Sequence, residues 1–464
     1  MAHNKNGNHG KKLGAGAAET GSKASFGQQR GSRRGGISQK AFPGGKTTPA
    51  APQPAESLLP ELSAEARRIL DSFDSIVQGI RPLSSRQMLS LPEHIRELSH
   101  LLTDQRGGRR IGYLNDTAAL SAYMRYFQWW NLLRLTKLFA GLRTSQLSLP
   151  DEGVCVDIGS GPLTVPIALW LARPDLRKKK LTWYCIDYSQ QALSLGEELY
   201  LAVAARTLTE GGPADESEPW RIVRIKGELG LEIRQKAHLV AAANVFNEVV
   251  DASGKPPEFT AKRSADIISR YGAPAAKVLV VEPGTPPAVR FLTAFRAALA
   301  RRGLRITAPC PVGMEWTGGP EAGGAGEAPC PCPMDGSRGS KWCHFTFPAE
   351  SAPARLQKLS SGAGLPKERA SLSFVLATAD KKIGAPAKGG QLDIRIISEP
   401  ISLPGNRVGY YGCCPLGLVL VESVAGNELA PGMLVRLPEP ENPRLDRKSG
   451  AVMVDGSSST PVLL

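Results

Sequence analysis

The sequence VCVDIGSGPLTVPIALWLA, residues 154–172, joins a short apolar run, a glycine-containing turn and a longer apolar run. The first run ends in Asp157, and Gly159 and Gly161 follow before the second run begins. An apolar strand that passes through such a turn into a helix is typical of the nucleotide-binding turn of a doubly wound α/β domain. A second apolar run ends in CIDYS, residues 185–189, one βαβ unit later. We therefore predict an α/β domain that binds a nucleotide-like ligand at this turn.

The spacing of the glycines distinguishes between nucleotide cofactors. A dinucleotide fingerprint has a third glycine three positions after the second, where this sequence has Thr164. The pattern resembles motif I of S-adenosylmethionine (SAM)-dependent methyltransferases, whose glycines let the backbone approach the amino-acid end of the cofactor. Five residues are predicted to bind the cofactor: Asp157, Gly159, Gly161, Asp187 and Asn244. The alternative is a turn whose glycines only allow tight packing of strand on helix.

Asp187 and Asn244 are assigned by their positions at strand ends. Asp187 closes the next predicted strand, where its carboxylate can accept hydrogen bonds from both ribose hydroxyls of the cofactor. Asn244 ends the apolar run KAHLVAAAN together with the nearby Asn247 and Glu248. Ligands gather at the carboxyl ends of strands in doubly wound sheets, so this polar group should border the cofactor crevice.

The charge of the chain is concentrated near its first residues. The formal net charge is +14, and residues 1–50 carry nine Lys or Arg, eleven glycines and one acidic residue, Glu19. Such a composition cannot bury enough apolar surface to offset its ordering entropy, so residues 1–55 are predicted to be a disordered basic arm. RNA is the natural partner, because cations that neutralise phosphates release counterions. A solubilising tail is the alternative.

Composition also bears on location. The sequence has no run of about twenty apolar residues and no signal-peptide core, so we expect neither membrane insertion nor secretion. The basic arm is so rich in glycine that an amphipathic presequence helix would form badly. We expect a cytoplasmic bacterial protein, with the mitochondrial matrix as the alternative.

Hydrophobic patterns divide the rest of the chain into four parts. Residues 56–145 are predicted to be helical, and residues 146–308 with 366–385 to form a Rossmann-type methyltransferase domain. A cysteine-rich insertion takes residues 309–365, and alternating apolar positions predict a small β-rich extension at 386–464. The predicted strands LRITA and SLSFVLATA flank about sixty residues, and loops of that length are uncommon without a function.

Two features of the helical region are open to test. Ser90, Pro92 and Glu93 together predict a helix start with Ser90 as the N-cap. Three cations interrupt the apolar and aromatic helix at residues 121–139, namely Arg125, Arg134 and Lys137. We interpret these cations as a solvated face, with an RNA-facing side as the alternative.

The eight cysteines form two groups. Cys155 and Cys185 lie in predicted core strands and are expected to be small buried hydrophobic residues. The other six lie in proline-rich, irregular contexts: Cys310, Cys330, Cys332, Cys343, Cys413 and Cys414. Clustered thiols in a reducing compartment favour metal or cluster ligation over disulfides. The sequence lacks the paired C-x₂₋₄-C knuckles that are usual in a zinc site. Cysteines that occur singly and at irregular spacing suit an iron–sulphur cluster, which takes four thiolates. Zinc and no metal stay open.

Several motifs in order resemble one known family. These are LPEHIRELSHLLTD, SAYMRYF, DIGSGP, AANVFNEV, VEPGTP, TAPCP, CPM and WCHF. Together they resemble the methyltransferase-like proteins associated with the small ribosomal subunit of bacteria and mitochondria, over about residues 90–420. The resemblance implies a [4Fe–4S] site and binding to small-subunit ribosomal RNA. We expect the small subunit and its RNA as partners, no membrane, and a monomer away from the ribosome.

The resemblance also implies a ligand set for the cluster. The first three ligands correspond to Cys310 in TAPCP, Cys332 in PCPM and Cys343 in WCHF, and the fourth to Cys413, with Cys414 as its rival. The family usually has a histidine two residues after the first cysteine, where this chain has Val312. A glycine-rich stretch, Gly318 to Gly326, separates the first two ligands and makes Cys330 a rival of Cys332.

No catalytic residue can be assigned from the sequence. Amino-group methyltransferases commonly carry an Asp/Asn-Pro-Pro-aromatic motif after the fourth strand, and residues 244–248 lack it. Glu248 and Glu282 border the predicted crevice, either as general bases or as ligands of the backbone. We favour a SAM-dependent methyltransferase of the ribosomal RNA class. The alternative is a non-catalytic RNA-binding ribosome-assembly factor that kept the fold.

Overall fold

The structure, a computed structural model, describes most of the chain after the first fifty-five residues. The described residues are 56–103, 112–210, 217–311, 332, 334, 341–350, 352–380, 390–405, 407–424, 429–456 and 460–461. The predicted basic arm lies outside the described residues, and so do Val312, Cys330 and the glycine-rich stretch between the first two predicted ligands.

Helices form the first described region. They are α1 (Ala64–Asp71), α2 (Phe73–Ile80), α3 (Ser85–Thr103), α4 (Thr117–Ala122) and α5 (Gln128–Gly141). A 3₁₀ turn, Tyr113–Asn115, precedes α4, and a π-helical segment, Tyr123–Phe127, joins α4 to α5. The last three segments thus run on as one long helix from residue 117 to residue 141.

The predicted helix start at Ser90 is wrong, because α3 begins five residues earlier. Ser84 and Gln87 form a capping box: the Gln87 side chain accepts from the Ser84 amide (2.9 Å), and the Ser84 hydroxyl accepts from the Gln87 amide (3.4 Å). These reciprocal hydrogen bonds provide acceptors for backbone amides that have no partner within the first helical turn. Pro92 consequently lies inside the helix.

The interpretation of the helical cations as a solvated face is wrong for Arg125 and Lys137, which are 2% and 4% exposed. Arg125 donates to the Gln78 side chain (2.8 Å) and to the Arg81 carbonyl. Lys137 donates to the Pro60 carbonyl (3.0 Å). Arg125 therefore ties the π-helical segment to α2, and Lys137 ties α5 to the chain just before α1. These contacts also exclude an RNA-facing role for both cations.

The central sheet has eight strands. They are β1 (Val154–Ile158), β2 (Thr182–Asp187), β3 (Arg221–Lys226), β4 (Ala237–Ala243), β5 (Gly272–Glu282), β6 (Arg305–Ala308), β7 (Phe345–Pro348) and β8 (Arg369–Thr378). The order is β3-β2-β1-β4-β5-β8-β6, with β7 paired to β8. Strands β1 to β5 are parallel, and β8 is antiparallel to β5, β6 and β7. This order confirms the predicted Rossmann-type methyltransferase fold, and its switch point lies between β1 and β4.

Helices cover both faces of this sheet. They are α6 (Thr164–Ala172), α7 (Pro174–Arg177), α8 (Gln190–Glu210), α9 (Phe246–Ser253), α10 (Pro257–Tyr271), α11 (Pro286–Ala300) and α12 (Ala354–Gly362). Alternate residues of β1 enter opposite cores: Cys155 packs with α5, α6 and α8, while Val156 and Ile158 pack with α10 and α11. The expectation that Cys155 and Cys185 are buried is confirmed, because both are fully inaccessible.

The segment between β6 and β8 is not a simple loop. It contains β7 and α12, which sequence patterns did not predict. A second sheet follows, made of β9 (Gln391–Ile396), β10 (Ile401–Leu403), β11 (Arg407–Cys414), β12 (Gly417–Val424), β13 (Leu434–Pro438), β14 (Arg444–Leu445), β15 (Val452–Asp455) and β16 (Thr460–Pro461). Its order is β14-β15-β12-β11-β9-β13-β16, with β10 on β11. Among the described helices, none is both long and apolar enough to span a bilayer.

Candidate functional site

The turn from β1 to α6 needs glycine at its first position. Gly159 and Gly161 have positive φ angles of 65° and 49°. A Cβ atom at Gly159 would lie 2.5 Å from Cγ2 of Val245, a stiff β-branched side chain. The turn is held against β2, because the Ser160 amide donates to the Ile186 carbonyl (3.0 Å).

Gly159→Ala is expected to lower the free energy of unfolding by about 2–4 kcal/mol, since left-handed strain and overpacking add. Gly303→Ala is the matched control: its φ is +81°, but no atom lies within 4 Å of the added Cβ. Strain alone should cost the control about 1 kcal/mol. Chemical denaturation of both variants measures the difference, and equal losses would contradict the predicted clash with Val245.

Asp157 presents a buried and unsatisfied carboxylate at the end of β1. The residue is 1% exposed, and neither side-chain oxygen has a hydrogen-bond partner among the described residues. Burial raises the pKa of this carboxyl well above its ordinary value, and the neighbouring Asp187 charge raises it further. Buried polar atoms are normally paired, so such an orphan favours a missing ligand.

Asp187 lies beside the glycine turn as predicted from the strand ends. Its Oδ2 accepts from the Gly161 amide (2.9 Å) and its Oδ1 from the Ser189 amide (2.8 Å). Burial raises the pKa of Asp187, while these amides oppose the rise. Each carboxylate oxygen has a further lone pair, so Asp187 can still accept hydroxyl hydrogens from a ligand.

The β4–α9 turn carries Asn244 at the same edge of the sheet. Asn244 has a positive φ of 60°, and its amide donates to the Val281 carbonyl (2.8 Å). Glu282 is fully buried and accepts from the amides of Val245 (3.1 Å), Phe246 (2.7 Å) and Asn247 (3.2 Å). Burial raises the pKa of Glu282 to about 8. The sequence left two roles for Glu282, a general base or a group that binds the backbone. Its three hydrogen bonds from backbone amides match the second role and hold this turn in shape.

The helical region covers the crevice, which the sequence patterns did not predict. The Gln128 side chain donates to the Pro162 carbonyl (2.7 Å), directly after the glycine turn. Burial raises the pKa of Tyr123 to about 12, and the carboxylates of Glu248, Asp187 and Asp157 contribute to the rise. The Tyr123 hydroxyl therefore lies within electrostatic range of all three carboxylates. The only local signal was an aromatic residue in an apolar helix, which does not distinguish a core side chain from a site residue.

Three of the predicted cysteine ligands come together. Burial raises the pKa of the Cys343 thiol well above its ordinary value, and the proximity of Cys332 and Cys310 raises it further. Arg296 and Arg395 act in the opposite direction on the same thiol. None of the described cysteines forms a disulfide. Among the described residues, no group of three or more His, Cys, Asp or Glu side chains has the geometry of a metal site.

The C-terminal sheet places Cys413 on the face that carries Arg395. Cys413 is paired with Arg395 across β11 and β9, so the two side chains share one face of that sheet. Arg395 reaches the Pro309 carbonyl, next to Cys310, with its Nε (3.1 Å). Cys414 points to the other face and packs in the interior of the second sheet. The alternation of a strand therefore favours Cys413 over Cys414 as the residue facing the other thiols.

The segment around Cys343 also contacts the methyltransferase crevice. Trp342 donates from its indole nitrogen to the Gly284 carbonyl (3.0 Å), in the turn that follows β5. Its ring stacks on His344, with centroids 4.8 Å apart and an interplanar angle of 20°. The cysteine group and the carboxyl edge of the central sheet are thus connected by three consecutive residues.

Comparison with known proteins gives one family. The model described as "Rsm22: Mitochondrial small ribosomal subunit Rsm22" matches residues 149–316, less than half of the chain. No curated protein matches the chain.

Solved methyltransferases are also similar to the chain. A putative class I SAM-dependent methyltransferase from Listeria monocytogenes has 10% identity, covers 70% of this chain and 90% of its own, and has a TM-score of 0.27. A putative RNA methyltransferase from Pyrococcus horikoshii has 12% identity, coverages of 53% and 84%, and a TM-score of 0.26. The ribosomal protein L11 methylase from Lactobacillus delbrueckii subsp. bulgaricus has 15% identity, coverages of 38% and 71%, and a TM-score of 0.25. The fold is established by the strand order of the central sheet. Over residues 149–316 the chain is similar to the Rsm22 family.

Proposed function

We propose that this protein binds SAM at the carboxyl edge of the central sheet and acts on or with the RNA of the small ribosomal subunit. The observation that carries the cofactor proposal is the buried, unpartnered carboxylate of Asp157 next to Asp187, at the switch point of the sheet. In this proposal Asp187 accepts the ribose hydroxyls, the turn from Gly159 to Gly161 receives the amino-acid end, and Asn244 borders the pocket. Bound there, SAM supplies an electrophilic methyl group.

We propose further that four thiolates hold a [4Fe–4S] cluster: Cys310, Cys332, Cys343 and Cys413. The supporting observations are the proximity of the first three thiols and the side of the second sheet on which Cys413 lies. Four thiolates are the donor set that such a cluster takes. Zinc is the alternative occupant, and Cys330 remains the rival of Cys332. The cluster would tie the second sheet to the methyltransferase domain.

The ribosomal part of the proposal rests on other observations. The family that matches residues 149–316 is described as a small-subunit protein of mitochondria. The nine cations of residues 1–50 suit a phosphate backbone. We therefore propose small-subunit ribosomal RNA as the partner. For the location we propose the mitochondrial matrix in place of the bacterial cytoplasm, because the family description names mitochondria.

A non-catalytic assembly factor is the second candidate function. It is favoured by residues 244–248, which lack an acceptor-binding motif, and by Glu282, whose carboxylate accepts three backbone amides instead of facing an acceptor. In that case the SAM pocket would serve binding or regulation, since a fold does not establish an activity.

Methyl transfer separates the two candidates. The full chain, purified anaerobically, is incubated with small-subunit ribosomal RNA and SAM that carries a labelled methyl group. If the protein is a methyltransferase, we expect labelled methyl groups in this RNA and none in large-subunit RNA. We also expect Asp187→Ala to abolish the transfer. Salt-dependent binding of small-subunit RNA without transfer would support the assembly factor. Binding of neither RNA nor SAM would contradict both candidates.

A further inference from the structure

The long helix from residue 117 to residue 141 is accessible along one stripe. Between Leu120 and Phe139, all side chains are buried except those of Tyr123, Phe127, Asn131 and Arg134. Their spacing of four, four and three residues puts them on a single helix face. The rings of Tyr123 and Phe127 stack with centroids 6.1 Å apart and an interplanar angle of 24°. This stripe is both aromatic and polar.

Hydrogen bonds connect three members of the stripe with one another. Arg134 donates from Nη1 to Oδ1 of Asn131 (2.8 Å), and Asn131 donates from Nδ2 to the Tyr123 hydroxyl (3.3 Å). That hydroxyl lies in electrostatic range of Asp157 and Asp187. The Arg134 guanidinium is thus two hydrogen bonds away from the side chain that covers the proposed cofactor site.

A second cation, Lys367, lies against Trp130, one helical turn before Arg134. Lys367, just before β8, places its ammonium 5.1 Å from the centroid of the Trp130 ring. Burial lowers the pKa of Lys367 to about 7, and the like charge of Arg134 contributes. Burial also lowers the pKa of Arg134, to about 10. Partial removal from water therefore makes the charged form of both side chains less stable.

No counter-charge offsets that cost among the described residues. Neither Arg134 nor Lys367 forms an ion pair with a described carboxylate, and the buried Nε of Arg134 has no hydrogen-bond partner there. Two fully buried cations nearby do have acidic partners: Arg177 pairs with Glu65 (2.7 Å) and Lys137 with Glu61 (3.4 Å). Two neighbouring half-buried cations without a described acidic partner favour a bound anion.

We propose that Arg134 and Lys367 bind one phosphate of the RNA strand whose nucleotide enters the cofactor crevice, and that the Tyr123–Phe127 ring pair stacks on a base of that strand. A guanidinium and an ammonium are donors only and match phosphate oxygens, and base–aromatic stacking tolerates any sequence. The proposal rests on the proposed function, because it names the path of its substrate. The other anion available here is the carboxylate of SAM, and the experiment distinguishes the two.

The test uses the full chain with Arg134→Gln, Lys367→Gln and the double variant. The probes are a fluorescent single-stranded RNA of about ten nucleotides, a length that one binding groove covers, and SAM in calorimetry. Each single variant is expected to weaken RNA binding by about tenfold. The slope of the logarithm of the binding constant against the logarithm of the salt concentration should become shallower by about 0.7. SAM affinity should stay within about twofold of wild type, since the cations contact the RNA in this proposal.

The matched control is Lys178→Gln with Arg234→Gln, which removes two exposed cations at the opposite, amino edge of the sheet. Thermal unfolding of the double variant should occur at the wild-type temperature or above it, because uncompensated charges are removed. An equal loss of RNA affinity in the control would overturn the proposal, and so would a marked loss of thermal stability.

The remaining outcomes separate the inference from the proposed function. Weaker SAM binding with unchanged RNA binding would assign the cations to the cofactor carboxylate and overturn the inference alone. Unchanged binding of both probes would also overturn only the inference. A wild-type chain that binds neither probe would overturn the inference together with the proposed function.

Discussion

Asp187→Ala is expected to weaken SAM binding by at least about a hundredfold, because the proposed role of Asp187 gives it two charge-assisted hydrogen bonds to the ribose, each worth roughly 1.5–3 kcal/mol. The substitution also removes the acceptor of the Gly161 and Ser189 amides. We therefore expect a smaller loss of folding stability, about 1–3 kcal/mol. Calorimetry with SAM and chemical denaturation measure the two effects separately.

Two further variants define the origin of this effect. Asp187→Asn keeps the shape of the side chain but removes its charge, so its SAM affinity should lie between those of wild type and the alanine variant. Asp175→Ala is the control, since this exposed residue of α7 pairs with Arg173 (2.7 Å) at the other edge of the sheet. SAM affinity that is equal in wild type and Asp187→Ala would refute the proposed role of Asp187.

Cys413→Ser is expected to release iron and acid-labile sulphide from anaerobically purified protein, whereas Cys414→Ser should retain both. The two residues are neighbours in β11, but the strand alternates, so only Cys413 shares a face with Arg395. Loss of one of the four proposed thiolate ligands would remove the proposed link between the second sheet and the central domain. We expect the melting temperature of Cys413→Ser to fall by about 10 °C, corresponding to roughly 3 kcal/mol or more.

The pair of variants controls for the cost of a buried hydroxyl. Cys414 is fully buried, so its replacement by serine should itself destabilise the protein by about 1–3 kcal/mol without changing the metal content. Metal analysis and the visible spectrum provide the readout. Stoichiometric zinc without iron would contradict the cluster and support the alternative metal, and iron loss from Cys414→Ser alone would reverse the assignment of the fourth ligand.

Local sequence was sufficient for the core of the methyltransferase fold. The strand, turn and helix from Val154 to Ala172 lie where the apolar runs and the two glycines predict them. Asp187 lies beside this turn because parallel strands of a βαβ unit end at the same edge. The helix start predicted with Ser90 as the N-cap was wrong because Ser84 and Gln87 form a reciprocal cap six residues earlier.

Contacts between distant segments could not be predicted in this way. The sequence patterns contain nothing that places Tyr123 over the crevice carboxylates, Cys413 on the same side as Arg395, or Lys367 beside Arg134. Each of these pairs joins elements whose mutual position is set by packing of whole helices and sheets. A local pattern reports which face of an element is apolar, but it does not report which other element covers that face.

The sequence alone therefore established the Rossmann-type fold, the glycine turn and the two carboxylates, because these follow from residues within one βαβ unit. The tertiary structure decided that helices cover the crevice, which of two adjacent cysteines shares a face with Arg395, and that two cations lie near each other without a described acidic partner. These features depend on burial and on strand register between segments far apart in the chain, and such relations appear only once the elements have packed.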